Sequence, residues 1–131
     1  MADGQRGYID DYTRIEIFLP FKTREEIQAG RDVIDYVQNA HGTGQRYRYA
    51  GLTHSAQWPT VFQGAWRNRR GKWVIDRLVI LTLDLNISYS EILLVTQEAD
   101  DLKRRTAQFY TDAKAPQIDI WVVVSPIGRV R

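Results

Sequence analysis

The stretch TVFQGAWRNRRGKWVIDRLVILTLDLN, residues 60–86, decides how this chain folds. Two β-rich runs, 60–67 and 72–86, flank Asn68-Arg69-Arg70-Gly71, and Asn with Gly in so short a connection is the chemistry of a tight hairpin turn. In the second arm Val79, Leu81, Leu83 and Leu85 point one way while Ile80, Thr82 and Asp84 point the other. That period of two belongs to a strand with one face in a core.

Beyond the hairpin, Ser88 and Glu91 carry a capping-box signature. Ile92, Val95, Ala99, Leu102, Thr106 and Phe109 then recur at spacings of three and four, which predicts a helix over 89–111. Pro116 blocks its continuation. Ile118, Ile120, Val122 and Val124 alternate with Asp119, Trp121, Val123 and Ser125 in a final strand, which Pro126 and the basic tail 129–131 leave. Before the hairpin, residues 14–19 alternate in the same way, with Ile15, Ile17 and Leu19 opposite Glu16 and Phe18. Pro20 ends that strand. Thr23 with Glu26 caps a helix carrying Ile27, Val33, Ile34 and Val37, which runs to Asn39 or Ala40 before Gly42 and Gly44. The connection 41–59 is long for a compact domain. Tyr47 and Tyr49 alternate there with Arg46 and Arg48, so it reads either as a loop or as an extra strand.

The order strand, helix, strand, strand, helix, strand is that of an α+β, ferredoxin-like βαββαβ sandwich: a four-stranded antiparallel sheet with two helices on one face. One such domain accounts for residues 1–131, with 1–12 a flexible N-terminus and 41–59 the long connecting loop. A length of 131 residues, 44% of them hydrophobic and 26% charged, suffices for a core without disulfides or a structural metal. The chain has no cysteine, which excludes thiol catalysis and thiolate zinc sites; neither a metal nor a cofactor is expected. The polar N-terminus has no apolar run behind a basic start, so a cytoplasmic protein without membrane attachment is expected. Eighteen basic side chains nearly balance sixteen acidic ones, so the net charge of +2 says little about partners.

A fold of this kind hosts many unrelated functions, so function has to come from a site. With both helices on one face, the other is left with Phe18, Ile80, Thr82, Trp121 and Val123, joined by Phe62 and Trp66 if those share it. That face is too apolar for a solvated surface. A homodimer, as in dimeric α+β barrels, would hide it; the alternative is that the connection 41–59 folds back over it. A groove lined by Phe18, Trp66, Thr82 and Trp121 is the expected place for a small-molecule ligand.

Antiparallel pairing puts Glu16 and Asp84 near one end of the open face and Asp119 at the other. Two carboxylates at the rim of an apolar groove suit general acid–base work, with a structural ion pair to an arginine as the alternative. His54 is the best single proton-transfer candidate because imidazole titrates near neutrality. A small hydrolase or isomerase would use His54 with Glu16 or Asp84. A third reading is an RNA- or DNA-binding module, in which Arg69, Arg70 and Lys72 at the hairpin tip and Arg46 and Arg48 beside the tyrosines supply cations next to stacking rings. No RNA-recognition signature, phosphate-binding loop or nucleophile elbow accompanies them.

Gly51-Leu52-Thr53-His54, then Pro59-Thr60-Val61-Phe62-Gln63-Gly64-Ala65-Trp66, the Gly71 turn and Asp76 leading into the next strand resemble small bacterial ferredoxin-like proteins of unknown function. The likeness spans about half the chain. It implies the fold and brings no activity, cofactor or substrate with it. The reading the sequence supports is a dimeric ligand- or partner-binding domain, without strong evidence of catalysis.

Overall fold

A computed structural model describes residues 9–39, 49–53, 62–117 and 119–130. It is an α+β structure of seven elements: β1 (Ile9–Pro20), α1 (Arg24–Asn39), β2 (Tyr49–Thr53), β3 (Phe62–Arg67), β4 (Trp73–Leu85), α2 (Ile92–Asp112) and β5 (Trp121–Val130). The sheet is antiparallel throughout. Four strands lie side by side in the order β2-β4-β1-β5, and β3 also pairs with β4. β2 takes the C-terminal part of β4, from Tyr49 opposite Leu85 to Thr53 opposite Thr82. β3 takes the N-terminal part, from Phe62 opposite Leu78 to Arg67 opposite Trp73. Within the connection 41–59, residues 49–53 are therefore strand; its other residues lie outside those described.

Both helices lie on the face that carries Ile15, Ile17, Leu19, Val79, Leu81, Leu83 and Leu85, all of them fully buried. Val33 and Val37 of α1 and Val95, Leu102 and Tyr110 of α2 belong to the same core, with Phe21, Ala29, Ile34, Ile87 and Ile120. α1 starts where its sequence signals place it. Thr23 Oγ1 accepts from the Glu26 amide at 3.1 Å, and Glu26 Oε1 accepts from the Thr23 amide at 3.0 Å. This reciprocal cap satisfies two otherwise orphaned donors. Thr23→Ala is expected to cost about 1 kcal/mol in urea unfolding, with no change in the m-value.

The second capping box does not form. The Ser88 hydroxyl is held by Ser90, with the two Oγ atoms 2.8 Å apart, and α2 begins only after Glu91, with no side-chain cap. Past the last helical residue, Asp112, and the cap Ala113, Lys114 turns left-handed with a φ of 63°, and the Ala115 amide closes back on the Tyr110 carbonyl at 2.9 Å.

Two strand ends extend past their sequence punctuation. Residues 9–12, expected in a flexible N-terminus, pair with residues 127–130. β5 accordingly runs through Pro126 instead of leaving the sheet there. Pro126 sits opposite Thr13 on a strand at the end of the sheet order, where a residue without an N–H is tolerated. No helix among the described residues is long and apolar enough to cross a membrane.

Candidate functional site

The hairpin turn uses Asn68 as an Asx hinge, its Oδ1 accepting from the amides of Arg70 at 2.9 Å and Lys72 at 3.1 Å. Gly71 supplies the positive φ, 75°, that closes the turn. What matters for a site is how far this hairpin reaches. The β1–β4 ladder ends at Pro20 opposite Leu78, with a last hydrogen bond from the Phe21 amide to the Arg77 carbonyl at 2.8 Å, so residues 73–76 of β4, with β3 beside them, project past the end of the central strand. A two-stranded ribbon freed in this way twists more strongly than a full sheet.

The twist carries β3 over the helix-free face. In the sheet order β4 and β1 separate β3 from β5, a span of about 14 Å in a flat sheet. Yet the rings of Trp66 on β3 and Trp121 on β5 have centroids 4.7 Å apart, with planes tilted by 46°. Gly64 permits this overlay. A Cβ there would stand 2.8 Å from Leu78 Cδ1 and 3.1 Å from the Trp66 ring. The result is a cleft of about 530 Å³ between the hairpin and the end of the sheet, walled by Phe18, Trp66 and Trp121, with Leu78 and Val74 beneath. Its polar lining is Glu26, Arg67, Asn68, Asp76, Gln117 and Asp119.

Of the four residues expected to line a groove, the structure brings Phe18, Trp66 and Trp121 together, and Thr82 lies farther along the open face, opposite Glu16. Phe62 shares the face and is half exposed, as are Trp121 and Val123. Asp119 lines the aromatic cleft and is tied to Lys103 of α2 at 2.8 Å. Glu26 also reaches the cleft: its Oε2 accepts from Gln117 at 3.2 Å while its Oε1 caps α1. Asp76, half-buried, makes no side-chain hydrogen bond or ion pair among the described residues. Of these residues the sequence analysis placed Asp119 alone, at the end of the open face away from Glu16 and Asp84; nothing in the sequence marked Glu26, Asp76 or Gln117 as lining a site.

At the other end of the face, Arg14 stands directly opposite Asp84 and binds it in a forked pair, Nε to Oδ1 at 2.9 Å and Nη2 to Oδ2 at 3.2 Å. That hydrogen bond holds the guanidinium above its ordinary pKa, with the charges of Asp84 and Glu16 adding to it and partial burial opposing. Glu16 and Asp84 are diagonal neighbours around this arginine. His54, Arg46 and Arg48 lie outside the described residues. At the hairpin tip Arg69, Arg70 and Lys72 are exposed, and Arg67 covers the Trp73 ring with its guanidinium carbon 4.8 Å from the centroid. One face of that ring is therefore occupied by the protein itself.

Among the described residues no group of three metal-ligating side chains occurs. Compared with family models, curated proteins and solved structures, the chain matches none of them, so the ferredoxin-like resemblance stands on its short motifs alone.

Proposed function

We propose that this protein is a small-ligand-binding domain that pairs with a second copy of itself through the helix-free face. The reading takes β2 and β3 as two halves of one edge strand, which makes the strand order that of the ferredoxin-like plan, and it places the chain in the cytoplasm. One observation carries the ligand: the contact between Trp66 and Trp121 across two intervening strands, which closes a walled cleft where a flat sheet would have none. Ligand sites are concave and join apolar walls to polar groups that fix orientation, and the described lining of this cleft joins aromatic and aliphatic walls to a polar side. The dimer accounts for Val123, Ile80 and Thr82, which lie on the same face outside the cleft.

The test is a fragment screen read by tryptophan fluorescence on wild type and Trp121→Ala. Trp121 is 51% exposed, so its removal is expected to leave the fold intact. Fragments that quench wild type and lose at least tenfold in affinity, about 1.4 kcal/mol, in Trp121→Ala support the reading. Binding unchanged by the substitution contradicts it.

A further inference from the structure

We propose that the aromatic cleft selects a small organic cation, one carrying an alkylated ammonium group. The proposal rests on the ligand-binding reading above and names the ligand class. Three rings, Phe18, Trp66 and Trp121, form its walls, and the face of an aromatic ring attracts a cation held within about 6 Å of its centroid. The charges lining the cleft have the matching sign. Among the described lining residues the charged groups are Glu26, Asp76, Asp119 and Arg67, an excess of acidic groups on a chain whose net charge is +2.

Most of these charges already have partners. Asp119 is paired with Lys103, Glu26 with the amides of the α1 cap and with Gln117, and Arg67 lies over Trp73. Asp76 is the carboxylate left over. It is half-buried, and among the described residues nothing hydrogen-bonds to it or neutralises it. A half-buried carboxylate without a partner favours the arrival of a cation over that of a neutral or anionic group. Among the described residues no three ligating side chains come together as a metal ion would need. An alkylated ammonium needs only ring faces and a nearby negative charge. A second hollow of about 490 Å³, bordered by Lys22, Phe62, Gln63, Ile75 and Arg77, has the opposite sign and should exclude such a ligand.

The experiment titrates the full chain with tetramethylammonium chloride at constant ionic strength, and separately with neopentyl alcohol, a neutral molecule of similar shape. Tryptophan fluorescence is the readout. The expected result is saturable binding of tetramethylammonium, about tenfold tighter than the alcohol, and lost by about tenfold in Asp76→Asn while the alcohol is unaffected. Equal affinity for the two probes overturns the charge selectivity and leaves the ligand-binding reading standing. Failure of both probes also overturns the cation proposal, and the fragment screen on Trp121→Ala decides the broader reading independently. Should Asp76→Asn lose its native circular dichroism, the comparison of the two probes on wild type still decides.

Discussion

Replacing Tyr110 by alanine is expected to destabilise the protein by about 3–5 kcal/mol, the range for deleting a large aromatic side chain from a packed core. Tyr110 is fully buried and is the bulkiest such residue among those described. Its hydroxyl donates to the Pro20 carbonyl at 2.7 Å, which ties the last turn of α2 to the end of β1, the point beyond which the hairpin curls. Gly30 of α1 makes room for it: a Cβ at that position would stand 3.3 Å from the tyrosine oxygen and 3.0 Å from Phe21. Tyr110→Phe keeps the packing and removes only the hydrogen bond, for an expected loss of about 1–2 kcal/mol in urea unfolding.

The same group gives the fold an alkaline dependence. Burial, and secondarily the charge of Glu26, push the Tyr110 hydroxyl well above its ordinary value of 10.0. The unfolded chain therefore releases this proton at lower pH than the folded one. The contribution is fully present below pH 10 and declines above it, by about 1.4 kcal/mol per pH unit until the folded group itself ionises. Urea midpoints measured between pH 9 and 11 should show that slope in wild type and lack it in Tyr110→Phe. Parallel curves for the two proteins would contradict the burial of an intact hydroxyl.

Val123→Glu is expected to halve the mass seen by light scattering on a size-exclusion column while leaving the far-ultraviolet circular dichroism of the folded chain unchanged. Val123 is 39% exposed on β5 and stands opposite Glu16 of β1. In a dimer through the helix-free face it would be covered, and a carboxylate added beside Glu16 would meet a like charge and lose its water. An unpaired buried charge costs several kcal/mol, enough to dissociate an ordinary interface. In the monomer the substitution is a surface change. A wild-type protein that already runs as a monomer would remove the dimer from the account and leave the cleft.

The hairpin, both helices and the split between a core face and an open face were legible because each rests on local periodicity. Val79 to Leu85 alternate, and Thr23 and Glu26 cap as a box does. The ends of β1 and β5 were not legible. Residues 9–12 carry two aspartates and Pro126 is a strand breaker in isolation, and each segment becomes strand only through its pairing with the other. The Ser88 cap was misread because its hydroxyl found Ser90, a choice that sequence spacing leaves open. Phe18 and Trp121 were grouped by the alternation of their strands, and Trp66 was added on the condition that it shared their face. Their meeting required knowing where the β1–β4 ladder ends, just past Pro20, which also brings Asp76 and Gln117 to the end of the face where Asp119 lies. The pairing of Arg14 with Asp84 follows from register, which one strand read by itself cannot supply.

The cleft closed by Trp66 and Trp121 is the centre of this account, and the tryptophan indole N–H signals test it most directly. The chain has four tryptophans, 58, 66, 73 and 121, so a proton–nitrogen spectrum assigned by single Trp→Phe substitutions resolves each. During a titration with small fragments, the signals of Trp66 and Trp121 are expected to move together along one saturating curve while that of Trp73, already covered by Arg67, stays in place. Movement at Trp73 without Trp66 and Trp121, or of only one of those two, would contradict a shared cleft.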